Sequence, residues 1–100
     1  MTMSWTFRNI SADEAKTILQ QELQAAGVPS FASVSWEQNT MLVRIEKGGK
    51  SEFKLALQSQ GADTKFVETK RDVALFHKPF VGRVESFVDQ ILNKAGAAKA

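Results

Sequence analysis

The chain has 100 residues and no cysteine, with 43% apolar residues, 24% charged residues and a formal net charge of +2. This length suffices for one domain with its own core, and the composition is that of an ordinary soluble protein. The lack of cysteine excludes disulfides, thiolate metal ligands and a cysteine nucleophile. The first residues, MTMSWTF, lack the basic and then apolar layout of a signal peptide, and the apolar runs are short, so we expect a cytoplasmic protein.

The charge is unevenly distributed along the chain. Residues 1–46 carry three Lys or Arg against five Asp or Glu, whereas residues 47–100 carry ten against six. A basic half can attract phosphate or an anionic surface. We prefer the simpler interpretation, a solvated face on which lysines alternate with core residues along strands.

Alternating apolar and polar residues predict a first strand, and a helix follows it. The inward residues of the strand are Met3, Trp5 and Phe7. Ser11 and Glu14 form a capping box, in which each side chain accepts from an otherwise unpaired N–H. The apolar face of this first helix comprises Ala15, Ile18, Leu19, Leu23 and Ala26. Gly27 offers a left-handed stop, and Pro29 prevents the helix from resuming.

Three further alternating stretches predict strands 2, 3 and 4 in consecutive hairpins. Their inward residues are Ala32, Val34 and Trp36, then Met41, Val43 and Ile45, then Phe53, Leu55 and Leu57. A two-residue turn at Gly48 and Gly49 would place Val43 opposite Lys54 and bring a charge into the core. The alternation therefore favours a three-residue loop from Lys47 to Gly49, with Gly49 in the left-handed conformation.

This three-residue loop fixes the partners on both faces of strands 3 and 4. On the inner face, Val43 lies opposite Phe53 and Met41 opposite Leu55. The outer-face pairs of this register are Glu46 with Lys50 and Arg44 with Glu52. Each pair joins opposite charges, which favours the register by a few tenths to about 1 kcal/mol.

Residues 64–76 predict a fifth strand with an irregular pattern. Apolar residues fall on both of its faces: Val67, Val73 and Leu75 share one face with Thr69 and Arg71, and Phe66, Ala74 and Phe76 lie on the other. Either the strand bends at a β-bulge or Arg71 points toward the side covered by helices. We prefer an outward bend that leaves Arg71 in water.

The last long segment, residues 79–93, predicts a second helix with a wide apolar face. Its apolar residues are Phe80, Val81, Val84, Phe87, Val88, Ile91 and Leu92. Pro79 fits the first turn, where its missing N–H would be unpaired in any case. Gly82 costs the helix roughly 1 kcal/mol relative to alanine, so we expect it to mark close approach to a neighbouring element.

The predicted order is β-α-β-β-β-β-α, in one α+β domain over residues 1–95 with a disordered tail over residues 96–100. Short connections join strands 2, 3, 4 and 5 in succession, which requires an antiparallel meander. Each helix has a single apolar stripe, so both helices should pack on one face of the sheet. The shape resembles a helix-grip arrangement. Strand 1 pairs at an edge that the sequence does not specify.

The sequence contains no recognisable catalytic constellation. His77 lacks both an orienting partner and further metal ligands, so we interpret it as a linker histidine. Glu85 and Asp89 form a solvated pair on the last helix. The candidate ligand-binding residues are Arg71, Thr69, His77 and Lys78, because a guanidinium facing a cavity would be poised for a carboxylate or phosphate. No metal site and no cofactor are predicted.

The junction of the last strand and helix, residues 67–69 (VET) and 73–85 (VALFHKPFVGRVE), resembles the polyhydroxyalkanoic acid system proteins of bacteria. That family shows a comparable apolar strand running into a helix start with proline, glycine and glutamate, preceded by a short strand, a helix rich in alanine and glutamine, and a hairpin containing tryptophan. Asn9, Lys78 and Val81 depart from its pattern. The resemblance implies association with polyester storage granules or their metabolism.

We therefore expect a small non-enzymatic binding or accessory protein, with a polyhydroxyalkanoate granule surface or another protein as its partner. One alternative is a helix-grip-like module for a small apolar or acidic ligand, with Arg71 at the mouth of its pocket. Another is weak nucleic-acid binding through the basic second half, although inward-facing aromatics make nucleic acid a disfavoured partner. The sequence does not indicate an oligomeric state.

Overall fold

The computed structural model describes residues 3–99, which form a six-stranded antiparallel sheet and two α-helices. The elements are β1 (Ser4–Phe7), α1 (Ala12–Ala26), β2 (Ser33–Glu37), β3 (Thr40–Ile45), β4 (Ser51–Gln60), β5 (Asp63–Asp72), a 3₁₀ segment (Leu75–Phe80), α2 (Val81–Lys94) and β6 (Ala98–Lys99). The predicted α+β class and the order β-α-β-β-β-β-α are confirmed.

The strands lie in the order β2-β3-β4-β5-β1-β6. The first four of these form the predicted meander, because each is joined to the next by a short turn. Strand β1 pairs with β5, with Trp5 opposite Phe66 and Phe7 opposite Thr64. Helix α1 must therefore carry the chain from β1 across the sheet to β2 at the opposite edge.

One face of the sheet and both helices enclose a single apolar core. Its buried residues are Met3, Trp5, Phe7, Ala15, Leu19, Leu23, Met41, Val43, Ile45, Phe53, Leu55, Leu57, Phe66, Val84, Val88, Ile91, Leu92 and Ala97. The alternation of the strands and the stripes of the helices therefore predict most of the core. Ala26 is exposed, because α1 ends there with Gly27 at a φ of +77°.

The N-terminal cap of α1 differs in one detail from the predicted capping box. The Ser11 hydroxyl accepts from the Glu14 N–H at 3.2 Å, as expected. The Glu14 carboxylate, however, accepts from the Ser11 hydroxyl at 3.3 Å rather than from a backbone N–H.

The predicted register between β3 and β4 is confirmed. Val43 lies opposite Phe53, Met41 opposite Leu55, and Arg44 opposite Glu52. On the outer face the Arg44 Nε donates to a Glu52 carboxylate oxygen at 2.7 Å. The loop glycines are arranged differently from the prediction. Gly48 takes the left-handed conformation, with a φ of +75°, whereas Gly49 has a φ of +147°.

The second helix begins later than predicted. Pro79 lies inside the 3₁₀ segment, and α2 starts at Val81. A proline disfavours the α conformation of the residue before it, which explains why regular helix follows Pro79 rather than including Lys78. Gly82 is exposed, and a Cβ placed on it would meet no atom within 4 Å. The expected close approach at Gly82 is therefore wrong.

The final residues are ordered differently from the predicted tail. Ala97 is buried in the core, and its N–H donates to the Leu92 carbonyl at 3.0 Å. Residues 98 and 99 form β6, which pairs antiparallel with Trp5 and Thr6 of β1. Ala100, the last residue of the predicted tail, lies outside the described residues.

Candidate functional site

A β-bulge in β5 decides where the candidate residue Arg71 points. Lys70 lies opposite Lys54, but Glu68 lies opposite Leu55, so Thr69 has no partner on β4. The extra residue reverses the alternation, and Arg71 then shares the helix-covered face with Glu68. Both features that the sequence offered as alternatives, the bulge and the inward arginine, are present together.

The Arg71 guanidinium is held by two carboxylates of the same chain. Its Nε and Nη2 donate to Glu68 at 2.7 and 3.1 Å, and Nη2 also donates to Glu85 at 3.1 Å. The guanidinium carbon lies 5.2 Å from the centre of the Phe53 ring. The hydrogen bonds from Arg71 to Glu68 are the main cause that raises the pKa of Arg71 above its ordinary value.

This arrangement corrects two expectations from the sequence. The Arg71 side chain is only 25% exposed, so it does not stand free in water. Glu85 was expected to be only solvated on the last helix, but it accepts a hydrogen bond from Arg71 of the sheet. Because Arg71 has its own carboxylates, it has no need of an external anion.

Glu68 links three elements of the fold. Its side chain is 4% exposed and also accepts from the Met3 N–H at 3.0 Å. The Glu68 N–H in turn donates to the Met3 carbonyl at 2.9 Å. Arg71 and Glu85 extend this cluster to α2, so its hydrogen bonds and ion pairs join the residue before β1, strand β5 and the last helix.

His77 is buried rather than part of an exposed linker, with 1% of its surface accessible. Its Nε2 lies 2.7 Å from the Lys47 carbonyl oxygen, and its Nδ1 lies 2.6 Å from the Ser51 hydroxyl. A carbonyl only accepts, so Nε2 carries a proton, and in the neutral ring Nδ1 then accepts from the Ser51 hydroxyl. That hydroxyl also accepts from the Ala74 N–H at 2.8 Å.

This serine and histidine pair holds the 3₁₀ segment against the loop between β3 and β4. Nucleophilic catalysis would need an exposed hydroxyl and a group that orients the histidine. The Lys47 carbonyl orients His77, but Ser51 is only 2% exposed, so its hydroxyl is closed to a substrate. The pair therefore fixes the position of residues 74–78 in the folded state.

The 3₁₀ segment presents two large apolar side chains to solvent. Leu75 is 70% exposed and Phe76 is 77% exposed. Between them and the core, His77 is anchored as described above, and Phe80 stacks on Phe31 with ring centres 5.1 Å apart. We call Leu75 and Phe76 the apolar tip. It stands at the junction of β5 and α2, on a base held by the contacts of His77 and Phe80.

The four predicted ligand residues do not form one site. Arg71 faces the helices, and His77 is enclosed. Thr69 is exposed at the bulge, where its hydroxyl donates to the Lys54 carbonyl at 3.3 Å. Lys78 is exposed beside the apolar tip. Of the four residues, only Lys78 lies next to the apolar tip in the 3₁₀ segment.

The sequence interpretation missed Leu75 as a surface residue and assigned Phe76 to the core. The run Val73 to Phe76 has apolar residues at both parities, so a strand could not have buried all of them on one face. That contiguity, directly before a histidine and a proline, was a signal for exposure. Ser51 and Glu68 gave a signal of their own, because each is polar yet shares the parity of a buried aromatic residue, Phe53 for Ser51 and Phe66 for Glu68.

The described residues contain neither a metal site nor a membrane-spanning helix. Within residues 3–99, no group of three or more His, Asp or Glu side chains is placed to hold a metal ion. Neither helix in that range combines the length and apolarity that crossing a membrane requires. Comparison with known proteins finds no match to this chain among protein-family models, curated sequences or solved structures.

Proposed function

We propose that this protein is a small non-enzymatic binding or accessory protein of the cytoplasm that attaches through its apolar tip to the surface of polyhydroxyalkanoate granules. The proposal combines the resemblance at residues 67–85 with one structural observation. That observation is the exposure of Leu75 and Phe76, 70% and 77%, within the segment that carries the resemblance. A polyester surface is apolar and repetitive, so it requires no shaped pocket in the protein.

The free energy available from the apolar tip is sufficient for attachment. Full burial of a leucine or phenylalanine side chain contributes about 1.5 to 3 kcal/mol. Partial burial of both residues would therefore supply roughly 3 kcal/mol, which corresponds to about a hundredfold in partitioning. The anchored His77 adds to this, because a pre-ordered tip loses little conformational entropy on binding.

Co-sedimentation with purified polyhydroxybutyrate particles tests the proposal. The wild-type protein is expected in the pellet, and the double variant Leu75→Ser with Phe76→Ser is expected in the supernatant. Val28→Ser is the matched control, since Val28 is 40% exposed but lies beyond α1, outside the 3₁₀ segment. Equal partitioning of the wild-type protein with and without particles would refute granule attachment.

The other two functions have less structural support. A small-ligand pocket with Arg71 at its mouth loses its main argument, because Glu68 and Glu85 already neutralise that arginine. Nucleic-acid binding would need stacking aromatics on an open face of the sheet. Trp5, Phe53 and Phe66 are instead fully buried against the helices.

A further inference from the structure

A second apolar surface lies between the end of α1 and the outer side of α2. It is an open groove of about 680 Å³. Its lining combines apolar residues of the α1–β2 connection with Gly82, Ser86 and Phe87 of α2. We call it the α1–α2 groove. It does not include Leu75 or Phe76, so it is separate from the apolar tip.

Gly82 keeps this groove open. It is exposed, and a Cβ placed there would meet no atom within 4 Å. Neither packing nor an unusual backbone conformation therefore requires glycine, although glycine weakens a helix. The missing side chain lets another backbone come close to α2.

The charges of the groove select its partner. Two cations, Arg83 and Lys94, line it, and no acidic residue does. Among residues 3–99 neither cation has a carboxylate oxygen within 4.0 Å, since the ion pairs there involve other residues. The two positions are eleven residues apart on α2, which is about 16 Å along the helix axis. The groove is therefore complementary to two separated negative charges.

The open shape favours a helix over a small molecule. Pockets for small ligands enclose most of the ligand surface, whereas this groove is open to solvent along α2. An amphipathic helix laid in such a groove buries one apolar stripe and leaves its other face in water.

A second copy of the chain is disfavoured by charge. If α2 packed antiparallel against α2 of a symmetric partner, centred between Ser86 and Gln90, Arg83 would face Lys94. The dimer would then contain two contacts between like charges, which is unfavourable.

We propose that the α1–α2 groove binds an amphipathic helix of another protein, whose acidic residues, about three turns apart, pair with Arg83 and Lys94. The interaction is independent of the apolar tip. The protein could thus hold a partner while the tip is attached to a granule.

Two synthetic helical peptides with the same apolar stripe test this inference. One carries glutamates at two positions eleven residues apart, and the other carries lysines there. Each is titrated into ¹⁵N-labelled protein, and amide shifts are followed by NMR. We expect shifts at Gly82, Ser86 and Gln90, with the acidic peptide binding at least about tenfold more tightly than the basic one.

Three variants make the test specific. Arg83→Glu with Lys94→Glu should reverse the preference between the peptides, and Gly82→Leu should weaken binding of the acidic peptide at least about tenfold, because it fills the groove. Lys65→Glu on the sheet is the charge control and should change nothing. The double variant at Leu75 and Phe76 should still bind the acidic peptide, which separates this inference from granule attachment.

Several results would overturn the inference. They are the absence of shifts at millimolar peptide, equal affinity for both peptides, or equivalent shifts from decanoate, a small amphipathic acid. Self-association in sedimentation equilibrium that Gly82→Leu abolishes would assign the groove to a second copy of the chain instead.

Discussion

Gly82 illustrates how a single residue can oppose the stability of the element that contains it. We expect Gly82→Ala to raise the free energy of unfolding by about 0.5 to 1 kcal/mol, because alanine is the better helix former and its methyl group meets open space. Urea unfolding followed by circular dichroism measures this change.

Gly48→Ala is the matched comparison for Gly82→Ala. Gly48 also has open space around it, but its φ is +75°. Alanine there should lower the free energy of unfolding by about 1 kcal/mol, because a side chain disfavours this conformation. Destabilisation by Gly82→Ala would instead show that α2 packs tightly at this turn.

His77 shows what residue identity leaves open. Its neighbours, Lys78 and Pro79, suggest a solvated linker, and no spacing relates it to Lys47 or Ser51. The hydrogen bonds arise only because the chain folds back at residue 74 onto the loop before β4. Alternation and helical spacing do not predict such contacts, because they join residues distant in sequence that share no periodic pattern.

At the scale of single elements, the bulge in β5 depends on the cluster of Arg71, Glu68 and Glu85. Removal of one partner from a buried ion pair costs about 3 to 5 kcal/mol when the other charge is left unpaired. Since Arg71 is 25% exposed, we expect Arg71→Met to destabilise by about 2 to 3 kcal/mol in urea unfolding.

Glu85→Gln is the control for this cluster. The Glu85 side chain is 41% exposed, so its loss should cost at most about 1 kcal/mol. If Arg71→Met and Glu85→Gln proved equally mild, Glu68 would have to find water or another partner in the variant, and the cluster would not hold the strand.

The ion pair between Arg44 of β3 and Glu52 of β4 should make the stability of the fold depend on pH. The hydrogen bond from Arg44 is the main cause that lowers the pKa of Glu52, with further help from the charges of Arg44, Lys54 and Lys70. A lowered folded-state pKa means that the pair stabilises the fold above about pH 4.3, the ordinary value for glutamate, and less as pH falls through the folded value.

We therefore expect Glu52→Gln to be less stable than the wild type at neutral pH and to approach it in acid. Urea unfolding at several pH values between neutral and strongly acidic tests this expectation. Glu46→Gln, in the exposed loop after β3, serves as the control. A difference that stays constant at all pH values would exclude ionised Glu52 as its source.

The two-residue strand β6 pairs with the outer edge of β1 and so forms the last strand of the sheet. Deletion of residues 98–100 should leave the outer edge of β1 unpaired and lower the free energy of unfolding by about 1 kcal/mol. Amide hydrogen exchange in β1 should also become faster. Lys99→Ala keeps the backbone pairing, so it should leave that exchange unchanged; equal exchange in the deleted chain would show that β6 contributes no protection.

At the scale of the whole molecule, the sequence predicted the features that follow from the periodic spacing of apolar residues. The alternation of β1 to β4, the stripes of both helices and the β3–β4 register all follow from matching each residue to a face. The alternation could not predict the bulge at Thr69, where one unpaired residue exchanges the two faces of β5 and turns Arg71 inward. The exposure of Leu75 and Phe76 was not predicted either, because apolar character alone does not distinguish a buried residue from an exposed one.

The pairing of β1 also has a consequence for the order in which the protein acquires structure. Trp5 and Phe7 leave the ribosome before β5 and β6, the strands that flank them, which are translated about sixty and ninety residues later. These two aromatic residues must therefore remain without their strand partners until those strands emerge. A nascent chain halted before residue 63 would be a natural client for chaperones.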